Sequence, residues 1–369
     1  AANTLSAILD AILGTAVGRF LARTAAGIWQ AIEGTISVTM YGAAVDGATN
    51  DAAALETANA TGKTIFIPKG TGACVIATNK TIDVALKFDS GASFSIANGV
   101  TLTLNGKIDA PLQNIFTYVG TGKVVLGAKV PIAYPEWWGV RNGAGTDGVF
   151  CQRAVDATKD NWVELRFTGT NYFFEAAFAG VTLYPSSVIT ASGRAIISTS
   201  SGVNGFILSV GNYGKLWLPS LSGFTNSGLA FRGASLADIS MHSIAGCGNN
   251  AISFEANNAS YPNVLDNKVR VHSISTSGNG VLFSADNNAC IMQGNEVYSN
   301  FVTSCTNVAH FGAPGLAPNW DGNKIVMGVI DPAGVVGARG LLNASAAAVS
   351  GLIFYCDQWF GGFTSGKWI

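Results

Sequence analysis

The amino-acid sequence predicts an all-β chain coiled as a parallel β-helix, a solenoid with a short helical stem at its N-terminus and a capping helix. Three observations predict it. The first is a repeat: Val269-Arg270-Val271-His272 lies over Val297-Tyr298-Ser299-Asn300 and then over Ile325-Val326-Met327-Gly328. Each copy follows an asparagine, and Asn267, Asn295 and Asn323 recur at one constant step. The second is a marker between them, Asn250 to Phe254, Asn279 to Phe283 and Asn307 to Phe311, whose phenylalanines keep that step to within one position. Looser copies run from Asn226 to Phe231 and from Asn204 to Leu208. The third is the local pattern, which lacks a helical period. It alternates instead, with Val269, Val271, Val281 and Phe283 on one side and Arg270, His272 and Leu282 on the other. Asn, Gly and Ser fill the joints, where left-handed backbone costs little. Stacking such units buries a column of Val, Ile and Phe and lets asparagines ladder at the turns. A β-propeller fits less well, because its blades repeat at about 40 residues.

Composition narrows the class. The chain has 369 residues, 48% hydrophobic and only 12% charged, with net charge −1. An average soluble chain carries about 25% charged residues. So bare a surface implies faces buried between subunits and others coated with Ser, Thr and Asn, hence an oligomer. Near-neutral charge argues against nucleic acid or an anionic membrane as partner. Six cysteines (Cys74, Cys151, Cys247, Cys290, Cys305, Cys356) form no CxxC pair and read as buried thiols. The apolar run from Leu5 to Val17 is too short, and broken by Asp10, for a membrane span. Without a basic leader the chain reads as soluble and cytoplasmically made, whole or a fragment of something longer.

Taken in order, residues 5–14 have helical spacing (Leu5, Ile8, Leu9, Ile12) and stop at Gly14. So short an apolar helix requires copies of itself to pack against. From Tyr41 the chain reads Tyr41-Gly42-Ala-Ala-Val45-Asp46-Gly47-Ala-Thr49-Asn50-Asp51, then an Ala-rich helix, then a strand closing at Pro68-Lys69-Gly70. Physically this is a Gly-rich turn and an N-cap opening a helix. The signal recurs from Trp138-Gly139 through Thr146-Asp147, with a following strand from Trp162 to Gly169 but no Pro-Lys-Gly turn. Between the copies, Ala85 to Gly127 alternates like further coils.

The Tyr41 stretch resembles the opening motif of the pectate-lyase-like superfamily of right-handed β-helices, common in phage tailspikes. Its usual form is Tyr-Gly-Ala-x-Gly-Asp-Gly-x-Thr-Asp-Asp, a helix, then Ile-x-x-Pro-x-Gly. Val45 stands where the family often has Gly, and Asn50 replaces the first Asp of the pair. The Leu5–Trp29 stretch and Ala133-Tyr-Pro-Glu-Trp-Trp138 also resemble phage tailspike segments. The resemblance covers residues 37–175 by motif and the rest by repeat alone. It divides the chain into a stem over 1–36, an opening unit over 37–134, a second over 135–200 and the main coils over 201–369.

Several side chains are candidates for chemistry. Asp46, Asp51 and Asp147 sit where a helix or turn needs an acceptor, and that duty is favoured over catalysis. Asp238, Lys268, Glu296 and Lys324 fall on equivalent positions and read as an exposed ion-pair row. Glu255 and Asp286 both lie outward, their Cα atoms roughly 8 Å apart by coil and strand spacing. A carboxylate gap of roughly 6.5–9.5 Å suits an inverting glycosidase. No basic partner in this register pins either acid. They are the expected catalytic pair, against the plain alternative of two surface acids that happen to be close. Arg270, His272, Tyr298 and Trp320 are the expected substrate-binding residues, with His242 and Asn300 in the same column; a solvated polar ladder is the alternative. Trp137, Trp138 and Trp359 are further stacking candidates, for which core or interface packing is the alternative.

No P-loop, HExxH, GxSxG or zinc spacing occurs, so no cofactor or metal is expected. The polygalacturonase signatures and the aspartate cluster of pectate lyases are missing too, which argues against a plant-cell-wall enzyme. The resemblance then implies a phage tailspike-like receptor-binding protein. It would be a homotrimer made in the host cytoplasm and carried in the virion tail, joined through its N-terminus to other tail or baseplate proteins. Such a protein binds a bacterial surface polysaccharide, capsule or O-antigen, and hydrolyses it; a lyase is the second choice. The rivals are a non-enzymatic adhesin or structural virion module of the same fold, and a cellular carbohydrate lyase or hydrolase. Fold alone does not decide among them.

Overall fold

The computed structural model describes residues 20–23, 29–32, 34–140, 147–169, 171–192, 195–199, 201–257, 260–276, 278–313, 316, 318–331, 339–343 and 351–359. The helix expected over 5–14 lies outside them. Before residue 34, Phe20–Arg23 pairs antiparallel with Trp29–Ile32. The described residues are mostly β, 51% strand against 9% helix, with parallel strands in stacked sheets. The chain divides into two units, residues 1–131 with 136–139 and residues 132–135 with 140–369.

In the first unit the chain visits three sheets in turn and returns to each after one coil. Thr35–Ser37, Thr64–Ile67, Leu86–Phe88 and Ile108–Asp109 stack in the first sheet. Cys74–Ile76, Phe94–Ile96 and Phe116–Tyr118 form the second, and Lys80–Ile82, Thr101–Leu104 and Lys123–Leu126 the third. Their alternation supplies the core directly. Ile65, Ile67, Leu102, Leu104 and Phe94 are fully buried, while Phe66, Thr103 and Ser95 between them are not. Phe88 meets Phe94 edge-on at 5.2 Å, a geometry aromatic rings prefer.

The opening helix, α1 (Ala52–Asn59), buries Ala52, Ala54, Leu55 and Ala58. Its expected cap is shared out differently from the sequence reading. Asn50 Oδ1 accepts from Ala52 N, while Asp51 makes no side-chain cap bond. The Asp51 carboxylate instead takes the backbone N–H groups of Ala44, Val45 and Val75, tying the Gly-rich turn to the next coil. Asp46 accepts from Ala48 N, Thr49 N and Thr49 Oγ1, and these bonds hold its carboxyl at about 2. Val45 sits at φ +49, a left-handed conformation that costs a side chain with a branched Cβ.

The second unit opens with α2 (Asp147–Thr158). Asp147 is fully buried and its carboxylate accepts from Phe173 N at 2.9 Å, the counterpart of the Asp51–Val75 bond. Glu175 caps the helix from the next coil, accepting from Gly148 N and Val149 N, where the helix dipole favours negative charge. The turn role expected of Asp46 holds, whereas Asp51 accepts from the opening turn and the next coil rather than capping its own helix, and Asp147 accepts from the next coil.

Three parallel sheets then carry the coils. The longest holds Asp238–Cys247, Lys268–Thr276, Glu296–Thr303, Lys324–Asp331 and Ile353–Trp359 in register. The second holds Asn204–Leu208, Ser227–Arg232, Asn250–Ala256, Asn279–Ala285, Asn307–Gly312 and Arg339–Asn343. The short third sheet holds Gly211–Asn212, Ala234–Ser235, Asn263–Leu265 and Ile291–Gln293.

Asn267, Asn295 and Asn323 are fully buried and stacked. Asn267 Nδ2 donates to Asn295 Oδ1 at 2.9 Å, and Asn295 Nδ2 to Asn323 Oδ1 at 3.1 Å. Their second amide protons go to Ala234 O, Val264 O and Met292 O of the preceding strands. A second ladder runs Asn307→Asn279→Asn250→Ser227. Here the sequence alignment needs a correction by one position, since Ser227 and not Asn226 is the rung. Asn226 lies in the turn before it and donates to Asn204 Oδ1. Beneath this ladder Phe231, Phe254, Phe283 and Phe311 stack with centroids 4.6, 4.9 and 4.7 Å apart, a spacing set by the coil pitch.

Candidate functional site

The expected acids keep the offset the sequence suggested, one coil and two strand residues apart, but the expectation that no basic partner pins either of them fails. In register, Glu255 lies beside Ser284, and Asp286 falls beyond Ala285 on the same strand's exit. Glu255 is also engaged: Oε2 accepts from Arg232 Nε at 2.8 Å and Oε1 from Ser253 Oγ at 2.7 Å. Arg232 pairs with Glu255 directly across one coil, and that coil is shorter than the later ones that carry the asparagine ladder. Asp286 is exposed, with Cys290 Sγ 3.6 Å from its Oδ1.

Three of the four expected binding residues do come together. On the long sheet one outward column reads Lys215, Asp238, Lys268, Glu296, Lys324 and Ile353. The next reads Trp217, Ser240, Arg270, Tyr298, Val326 and Tyr355. Between them run the buried Ile239, Val269, Val297 and Ile325, which anchor the strands. Asp238 pairs with Arg270, and Lys268 lies 3.1 Å from Glu296. Tyr298 Oη donates to Glu296 at 2.8 Å, and both Lys268 and Lys324 lie over the Tyr298 ring, at 5.0 and 5.4 Å. The Glu296 carboxyl is held below its usual range first by Tyr298, then by Lys268, against partial desolvation.

The strands then turn a corner. His242-Ser243, His272-Ser273 and Asn300-Phe301 are consecutive residues that both escape burial, while Met241, Val271, Ser299 and Ile244, Ile274, Val302 on either side point inward. Strict alternation would bury one of each pair, so the strand bends there. His242 and His272 stack at 5.1 Å, Phe301 meets His272 edge-on at 5.3 Å, and Asn300 Nδ2 lies 3.1 Å from His272 Nδ1. Trp217, Tyr355 and Phe301 are 51, 54 and 42% exposed.

Trp320 is corrected. It is 1% exposed and packs edge-on against Phe311 at the end of the phenylalanine stack, which leaves its ring no face for a ligand. Trp137 and Trp138 are buried likewise. Of Trp359 only the backbone is described. Sequence reasoning missed Lys215, Trp217, Phe301 and Tyr355. The first two lie on the shorter coil, out of step with the asparagine repeat. The strand alternation of Ile353-Phe-Tyr355 was the signal for the last.

A shallow open groove of about 480 Å³ beside the second ladder is lined by Asn226, Asn249, Asn250, Asn279, Thr306 and Asn307 among others. None of the six cysteines is in a disulfide; five are buried, and burial pushes the Cys247 and Cys305 thiols up to about 12. Among the described residues no cluster of His, Cys, Asp or Glu fits a metal ion, and no helix is long and apolar enough to cross a membrane. In comparisons with known proteins, no family model, curated relative or solved structure matches the chain.

Proposed function

We propose that this chain is a polysaccharide-binding solenoid of the phage tailspike kind, a right-handed parallel β-helix that acts as a homotrimer and docks to other tail proteins through its N-terminal stem. The long sheet's outward face is its glycan-binding surface, and the receptor is a bacterial capsule or O-antigen. One observation carries this reading: Trp217, Arg270, Tyr298 and Tyr355 share a single column, so half-exposed rings and a guanidinium recur along a rigid wall. Rings offer flat apolar faces to pyranoses, and the Arg and Lys heads donate to hydroxyl and acid groups. Repetition lets subsites follow one another coil by coil.

Binding without cleavage is favoured over hydrolysis. Arg232 and Ser253 each donate to one Glu255 oxygen, the arrangement of a structural ion pair, which favours a structural role for Glu255 over one in a two-carboxylate mechanism. The test is incubation of the full chain with purified capsule and O-antigen polysaccharides, reading retention by surface plasmon resonance and chain length by size exclusion. Retention weakened by Trp217→Ala supports the reading, whereas absence of retention by every polysaccharide overturns it. Shortened oligosaccharides would restore the hydrolase.

A further inference from the structure

Resting on that reading of the face, we propose that its glycan is acidic, carrying carboxylate or phosphate groups along its length. The charges on the outward columns carry the argument. Four cations (Lys215, Lys268, Arg270, Lys324) stand against two anions (Asp238, Glu296), in a chain whose formal net charge is −1. Both anions are satisfied within the face, Asp238 by Arg270 and Glu296 by Lys268 and Tyr298. The local excess therefore belongs to Lys215 and Lys324.

Neither of these lysines has a carboxylate within ion-pair distance among the described residues. Each lies over an aromatic ring instead, Lys215 at 5.3 Å from the Trp217 centroid and Lys324 at 5.4 Å from that of Tyr298. A ring face attracts the ammonium without using its hydrogen-bond donors, so each head is placed and still able to donate. Four coil steps at about 4.8 Å set the two about 19 Å apart along the stacking direction. A glycan running along the columns meets both, with Arg270 between them.

A neutral sugar chain laid there would strip water from two ammonium groups and return bonds to hydroxyls with no opposite charge. An acidic one returns charge-assisted bonds. Nucleic acid fits poorly: duplex DNA carries one charge per about 1.7 Å of its axis, and an excess of two cations answers few of them.

The experiment takes each polysaccharide retained by the full chain and measures it again after carboxyl reduction to the neutral sugar, or after dephosphorylation, at low and high NaCl. Neutralised polysaccharide is expected to bind about tenfold more weakly at low salt, with the gap closing as salt screens the charges. Lys215→Ala/Lys324→Ala removes the gap. Glu296→Gln, which keeps the hydrogen bonds and deletes a negative charge, widens it. Retention of neutral polysaccharides alone, or equal retention before and after neutralisation, overturns the acidic ligand and leaves glycan binding in place. Retention of poly-L-glutamate as tight as that of the acidic polysaccharide also overturns it, since any polyanion would then serve. Loss of every polysaccharide signal is the separate failure of the glycan reading itself.

Discussion

Asn267 and Asn295 sit one full coil apart in the chain, and the amide of one donates to the other across 2.9 Å in a site closed to water. Each is also bonded to a strand carbonyl, so the pair fixes both the coil length and the register of the sheet above it. Asn295→Ala removes a rung: Val264 O and Asn323 Oδ1 each lose a donor, and Asn267 N and Nδ2 lose their acceptor. It is expected to destabilise the fold by about 2–4 kcal/mol, since several buried groups lose a partner at once. Urea unfolding followed by tryptophan fluorescence measures it; a loss below about 0.5 kcal/mol, the scale of an ordinary surface change, would sink this account.

Trp162 predicts the opposite sign. It stands at φ +55 with 69% of its surface exposed, while Gly62 holds the corresponding place after α1 at φ +70. Trp162→Gly should stabilise by about 0.5–1 kcal/mol, as relief of left-handed strain outweighs the greater freedom of glycine in the unfolded chain. A lower melting temperature would contradict it.

Gly70 has no such freedom. A Cβ there would lie 1.9 Å from Val45 O, a backbone atom of the opening turn. Gly70→Ala is expected to cost about 1–3 kcal/mol by forcing that turn apart, and thermal unfolding with unchanged far-UV circular dichroism is the check.

His310 gives a pH dependence. Burial, then the Arg339 charge, hold its imidazole below the usual range. The unfolded chain therefore binds the proton more readily than the folded one, and stability is full above the unfolded value. It falls as pH drops through about 6.5 toward the depressed folded value. His310→Gln should flatten the fall between about pH 7 and pH 5. An unchanged slope in chemical denaturation would place the pH dependence elsewhere.

Glu255→Gln separates structure from catalysis. The Arg232 pair is partly exposed, so its loss should cost at most about 1 kcal/mol. If the chain cleaves a polysaccharide at all, the variant is expected to retain that rate, read as reducing ends released per minute. Abolition of cleavage with intact stability would reinstate Glu255 as a catalytic group.

The main coils were legible because their period is constant and their rungs chemically distinct. Asn267, Asn295 and Asn323, the phenylalanine stack and the Lys268–Glu296 row all follow from counting at one nearly fixed step. Counting failed where the step changed. The coil before Asp238 is shorter, so Arg232 beside Glu255 and Trp217 in Arg270's column were invisible to it. Burial was illegible for Trp320, because a loop residue has no alternation to show which way it points. The bend at His242-Ser243 was hidden as well, since nothing local distinguishes two outward neighbours from a continued strand.

The amide ladder also makes the coil an interchangeable part. Excising residues 268–295 would join Asn267 to Glu296, and Asn323 would arrive where Asn295 had been, with every hydrogen bond of the rung available again. The wall would shorten by one pitch, about 4.8 Å, losing the Lys268–Arg270 row and nothing of the architecture. Whole-coil gain or loss thus offers a way to lengthen or trim the row of side chains presented to a polymer while the core that supports it stays the same.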